Sequence, residues 1–288
     1  MRRLWTKNLV TDTAKAQKIL NTDCHWMRVA IAASRCAEGR TAENPPVGCA
    51  IVSAAGQLLS VGHTGKGGRP HAETEAMAKS PAALLAGATA YVTLEPCAHT
   101  GQTGPCADAL IACKIARVVI AVADPDKRVN GAGIKRLRDA GIAVEIDVCA
   151  AEAARVLTGF LMRQTASRPF VTWKTATSLD GMIALAELPI DAEGRLDLPA
   201  AMQAMAAAGC NHVMVEAGAG LSGSLFSHDL IDRIVWTQSH HLIGGDAIPA
   251  IGGMSTLALP DRTHYILSDE GRLGDDRWLV FDRRSGEN

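Results

Sequence analysis

Two cysteines, Cys97 and Cys106, bracket the small and polar loop of "LEPCAHTGQTGPC", directly after an apolar, strand-like run. A disulfide, a pair of core thiols and a metal site are the chemical options for such a pair. Upstream, His71-Ala72-Glu73 opens a helix-like segment. One imidazole and two thiolates are three donors suited to tetrahedral zinc, with a fourth position left for water. Glu73 stands too near His71 in sequence for both to grip one ion comfortably, but it is well placed to hydrogen-bond that water. Zinc lowers the pKa of such a water to about 7 and a carboxylate can then move protons, which is the arrangement of a zinc hydrolase. A lone His-x-Glu or Pro-Cys is commonplace. Together, in this order and on these elements, they point to a metal site.

The elements that must position these residues alternate between strand and helix. "VGCAIVSAAGQLLSVGH" reads as two strands joined by a turn at "SAAG", and "HAETEAMAKS" as a helix ending before Pro81. "ATAYVTLE", "CADALIACKIA", "ARVVIAVAD", "GAGIKRLRDAG" and "IAVEIDV" continue as strand, helix, strand, helix, strand. The alternation predicts an α/β layer structure with a largely parallel sheet and helices on both faces. It puts His71 and Cys97 beyond strand ends, where open α/β sheets place ligands. Before this, "CHWMRVAIAASRCAEG" reads as an amphipathic helix closed by Gly39, and residues 1–22 as a solvated N-terminal extension. The expected boundaries are therefore 23–149 for the first domain, 150–168 for a connecting helix and linker, and 169–288 for a smaller second domain.

Bulk properties narrow the class. The 288 residues are 48% hydrophobic and 20% charged, enough to build a sizeable core, and the net charge of −1 gives no pull toward nucleic acid or acidic membranes. No apolar run reaches the roughly 18 residues that a membrane span needs, and no secretory signal opens the chain. A cytoplasmic location follows as the expectation, and in a reducing cytosol most of the eight cysteines should be small buried hydrophobes.

His71-Ala72-Glu73 with Pro96-Cys97 and Cys106 resembles the cytidine-deaminase superfamily. The flanking "NPPVGCAIV", "GGRPHAE", "TAYVTLEPC", "GAGIKRLRDAGI" and "FVTWKTATSLDG" resemble, more closely, the bifunctional riboflavin-biosynthesis family RibD. The resemblance implies a cytidine-deaminase-like three-layer α/β/α domain followed by a dihydrofolate-reductase-like α/β domain. It implies zinc on His71, Cys97 and Cys106, Glu73 as proton shuttle, and Asn44 and His99 as contacts to a phosphoribosylamino-pyrimidinone. In the second half it implies NADPH as cofactor, with Ala176, Asp180, Glu216, Gly218 and Gly220 as the remnant of the reductase site. Self-association through the C-terminal domain is implied as well.

Two departures qualify this expectation. Gln102 stands where the family carries a cation, and Asp126 where it carries an asparagine, so phosphate binding should be weak unless Arg69 or Lys127 compensates. "SLDGMIAL" runs directly into "AELPIDAEGRLDL", so the middle of the reductase half is missing and NADPH use is left open. The leading expectation is a zinc-dependent pyrimidine deaminase with a truncated reductase half. A deaminase of another pyrimidine or nucleotide, and a zinc-stabilised non-catalytic partner of a complete reductase, are the alternatives.

Overall fold

The computed structural model describes residues 2–99, 104–126, 130–177, 182–183, 197–242, 247–253 and 265–284, with only the backbone course for 2–18, 175–177 and 182–183. The chain divides into two compact units, Met1–Thr165 and Ala166–Asn288.

The first unit begins with helix α1 (Arg2–Arg35), continues through strands β1 (Gly48–Val52) and β2 (Leu58–His63) to helix α2 (Ala72–Lys79), and returns through β3 (Thr89–Leu94). Helix α3 (Cys106–Ala112), β4 (Arg117–Val122), α4 (Ala132–Asp139), β5 (Ala143–Glu145) and α5 (Ala150–Ala166) complete it. The strand order is β2-β1-β3-β4-β5. β1 pairs antiparallel with β2 and β3, whereas β3–β4 and β4–β5 are parallel. The sheet is therefore mixed, not largely parallel. The turn at residues 53–57, with Gly56 at φ +80°, is too short for a crossover and forces an antiparallel hairpin.

Alternation of side chains explains why the central strands are buried on both faces. Cys49, Ile51, Ala90, Val92, Val118 and Ile120 pack with Ala76 of α2, Leu110 of α3 and Leu137 of α4. Their neighbours Ala50, Val52, Tyr91, Val119 and Ala121 pack on the opposite face with Met27, Ala30 and Ile31 of α1. The result is three layers. Asp23, 3% exposed, binds α1 to the sheet by accepting from Tyr91 Oη at 3.0 Å and from both Arg117 Nη atoms at 2.7 Å. Breaking such a buried pair from one side typically costs about 3–5 kcal/mol. With neither Gly nor Pro before Arg35, α1 runs unbroken from Arg2.

The second unit contains β6 (Phe170–Thr177), β7 (Met182–Ile183), α6 (Leu198–Ala207), β8 (His212–Val215) and α7 (Ala219–Ser227). It closes with β9 (Arg233–Gln238), β10 (Ile248–Pro249), β11 (Tyr265–Leu273) and β12 (Asp276–Arg283). Its main sheet has the order β11-β12-β9-β6-β8, parallel around β6 and antiparallel at β9–β12 and β12–β11. The two-residue strands β7 and β10 pair with each other and are too short to leave a periodic signal. The core centres on fully buried Trp173, whose Nε1 donates to Ser222 Oγ at 3.0 Å, packed with Leu198, Met202, Leu225 and Ile231. Asp232 accepts from both Arg168 Nη atoms at 2.5 and 2.7 Å and from the Val171 amide at 2.9 Å.

The cysteines depart from expectation. All are free, but only Cys49 and Cys106 are buried, and Cys36 and Cys210 are exposed.

Candidate metal centre and active-site pocket

Helix α2 lies directly on β2. A Cβ at Gly62 would stand 2.3 Å from the Ala72 carbonyl oxygen, so only glycine permits this approach. The contact fixes the start of α2, where His71 is the N-cap with extended backbone and a side chain that makes no capping bond. Its ring turns instead to the thiols. Nδ1 lies 3.1 Å from Cys106 Sγ and 3.6 Å from Cys97 Sγ, and the Cys106 amide donates to Cys97 Sγ at 3.3 Å. Cys97 follows the end of β3, while Cys106 is the first residue of α3, entered through Pro105. The three donor atoms lie within 4.8 Å of one another, and among the described residues this is the one such group of three. Sequence separations of 26 and 35 residues collapse into one cluster where the start of α2, the loop after β3 and the start of α3 meet.

The donor set suits zinc. A hydrogen bond from the Cys106 thiol, and next to it from His71, pulls the Cys97 thiol down to about 4 although burial acts the other way. Cys106 is correspondingly raised, because it holds the proton of the pair. Glu73, in the first turn of α2, is 3% exposed. Burial pushes its carboxyl up to about 7, while the charge of His71 and a backbone N–H pull it partly back.

His71, Glu73 and Cys97 line a cavity of about 490 Å³ in the first unit, with apolar walls that include Val47, Leu94 and Phe160. Asn44 and His99 line it too. The Asn44 amide nitrogen reaches the carbonyls of Thr41 at 3.3 Å and Gly67 at 3.4 Å. His99 Nδ1 is buried without a hydrogen-bond partner. Asp126, also at the cavity, is buried, and its backbone N–H donates to Asp124 Oδ1 at 2.9 Å. Gln102 and Lys127 lie outside the described residues.

Sequence reasoning missed Glu95, which sits immediately before Pro96-Cys97 and is 3% exposed. Its carboxylate accepts from the backbone amides of Asp124 (3.2 Å), Gly131 (3.1 Å), Gly133 (2.9 Å) and Ile134 (3.1 Å). One side chain thus ties the end of β3, which leads to Cys97, to the loop after β4 and the start of α4. A charged residue closing an apolar strand was the available signal. Phe160, Arg163 and Gln164 on α5 were also missed as lining residues, since nothing local marks a helix more than fifty residues away as a wall of this cavity.

The expected reductase remnant is only partly visible. Asp180 lies outside the described residues, and for Ala176 the backbone alone is described, within β6. Glu216 is exposed and pairs with Lys174 at 3.1 Å. Gly218 is the N-cap of α7 and Gly220 lies in its first turn. A Cβ at either would meet nothing within 4 Å, so packing does not demand glycine at these positions.

Comparison with known proteins follows this division. Residues 20–122 match the model of the cytidine and deoxycytidylate deaminase zinc-binding region, and residues 185–270 match the RibD C-terminal domain. The chain is similar to RibD. The riboflavin biosynthesis protein RibD of Aquifex aeolicus is 42% identical over 166 residues, covering 58% of this chain and 46% of that protein. Escherichia coli RibD is 42% identical over 164 residues, covering 57% and 44%. These matches span less than half the length of the RibD relatives. A solved structure of Acinetobacter baumannii RibD superimposes with a TM-score of 0.82 at 28% identity, covering 92% of this chain and 99% of that one. The Thermotoga maritima diaminohydroxyphosphoribosylaminopyrimidine deaminase/5-amino-6-(5-phosphoribosylamino)uracil reductase superimposes at 0.81 with 22% identity, which shows a shared fold. The second unit thus shares the RibD architecture in shortened form. Among the described residues, no helix is long and apolar enough to cross a membrane.

Proposed function

We propose that this chain catalyses the hydrolytic deamination of 2,5-diamino-6-(5-phosphoribosylamino)pyrimidin-4(3H)-one in riboflavin biosynthesis, with zinc on His71, Cys97 and Cys106. The observation that carries the reading is a cluster of one imidazole and two thiols at the edge of a cavity that the buried Glu73 carboxyl also lines. Bound there, zinc would supply Lewis acidity and a water of lowered pKa. Glu73 takes a proton from the attacking water, holds it on its carboxyl, and returns it to the exocyclic nitrogen. Water is consumed, the ring carbon gains oxygen, and ammonia departs. The buried carboxyl suits both halves of this transfer, since burial removes competing solvent. Val47, Leu94 and Phe160 offer apolar walls for a pyrimidine, Asn44 an amide to read its edge, and His99 a donor for the phosphoribosyl portion.

Ammonia release from that pyrimidinone, measured for wild type and Glu73→Ala, decides the matter. Equal rates would end the proposal. A panel of other pyrimidines and nucleotides, run alongside, tests whether Asp126 in the cavity has redirected substrate choice.

For the second unit we propose a role in self-association. There, Glu216 is engaged by Lys174, and the helix-entry glycines alone do not make a dinucleotide site. A cytoplasmic location is part of the same proposal.

A further inference from the structure

Two buried hydrogen-bonding nitrogens in the described chain have no partner, Arg69 Nη1 and His99 Nδ1, and both residues line the cavity that holds Glu73. A buried donor left unsatisfied costs about 1–3 kcal/mol, and more when it is charged. Arg69 Nη1, which can only donate, therefore calls for an acceptor from outside the chain, and the open His99 nitrogen marks the same cavity as unfilled.

Arg69 is held there by a tightly built loop. The Gly65 amide donates to Pro70 O at 2.9 Å, the Gly68 amide to Gly65 O at 2.9 Å, and the Gly67 amide to Arg40 O at 2.8 Å. A Cβ at Gly65 would stand 2.1 Å from Arg69 O, and one at Gly68 would stand 2.0 Å from Asn44 Nδ2. Gly68 also adopts φ +93°, so this loop tolerates no side chain at either place. The cavity is lined by the carboxylates of Glu43, Glu95, Asp124 and Asp126 as well as Glu73, yet none of them forms an ion pair with Arg69. Glu95 spends its oxygens on four backbone amides instead. Arg163, a second cation of the cavity, donates to the Glu43 carbonyl at 2.7 Å. Arg69 thus keeps an open guanidinium donor, two residues before His71, as His99 keeps an open nitrogen two residues after Cys97.

We propose that Arg69 is the specificity residue for a ribose phosphate monoester. This rests on the deaminase reading for the identity of the substrate, though not for the existence of the anion site. Guanidinium suits the role because its planar fork matches phosphate oxygens bidentately, whereas an ammonium offers only a point charge.

Titration calorimetry of ribose 5-phosphate against the full zinc-loaded chain tests it. Arg69→Gln should weaken binding at least about tenfold, and Arg69→Lys by a smaller factor, with zinc content unchanged. In kinetics, Arg69→Gln should raise KM for the phosphorylated pyrimidinone and leave its dephosphorylated analogue unaffected, with kcat nearly constant. Should Arg69→Gln fail to fold, the Lys variant and the loss of wild-type affinity with added salt carry the test. Ribose 5-phosphate binding that ignores both substitutions, or no binding to wild type, overturns the proposal. Arg69-dependent binding in a wild type that releases no ammonia would keep the anion site and sink only the deaminase reading.

Discussion

The two units solve the same problem, covering an α/β sheet, to different degrees. In the first, β1 is buried at every position and β3 and β4 nearly so, with helices against both faces. In the second, β8 alternates exposed and half-buried residues, and β11 is exposed along most of its length. Met214, at 68% exposure, and Leu273, at 72%, mark apolar positions that no element of the described chain covers. A sheet enclosed on both faces can hold a dry cavity at its strand ends. A sheet with an open face is better suited to a partner than to chemistry.

The largest expected effect belongs to the enclosed unit. Glu73→Gln should lower ammonia release about 10²–10⁴-fold while zinc stoichiometry and melting temperature hold, as rate assays and elemental analysis would show. Residual activity near wild type would move the chemistry away from this cavity and erase the contrast.

Next is Asp232→Ala in the second unit, which strands the Arg168 guanidinium and the Val171 amide. Destabilisation of about 3–5 kcal/mol is expected, visible in denaturant unfolding. Ammonia release measured below the transition should be unaltered. If it falls with the second unit, the two are not independent.

A smaller loss is expected from Glu95→Gln, which offers one acceptor oxygen where four amides need two. About a tenfold drop in kcat should follow, with zinc retained, through misplacement of Cys97 and the loop at Asp124. Glu95→Asp, which restores both oxygens on a shorter arm, should recover only part of it.

Smallest of all, Met214→Ser should change stability by under about 0.5 kcal/mol. Sedimentation should nevertheless show weaker self-association. Unchanged association would mean that the open face of β8 is not the contact.

How much of this was legible in advance varies with sequence distance. Strands and helices of the first half were readable because each carries its own period and its own stop signals, such as Gly56 in the hairpin turn and Pro81 after α2. The mixed direction of the sheet was less legible, since alternation of elements says nothing of which strand returns beside which. The two-residue strands β7 and β10 left no period at all.

The sequence by itself determined the chemistry available: an imidazole, two thiols and a carboxyl at helix starts and in a loop past a strand end. Donor type and spacing are local properties, so they can be read from a string of residues. Only the tertiary structure decided that Glu95 would bind four distant amides, that α5 would wall the cavity with Phe160, and that Arg69 would enter it without an ion-pair partner. Such facts depend on which surfaces are excluded from water together, and burial is a property of the packed chain that no short stretch possesses.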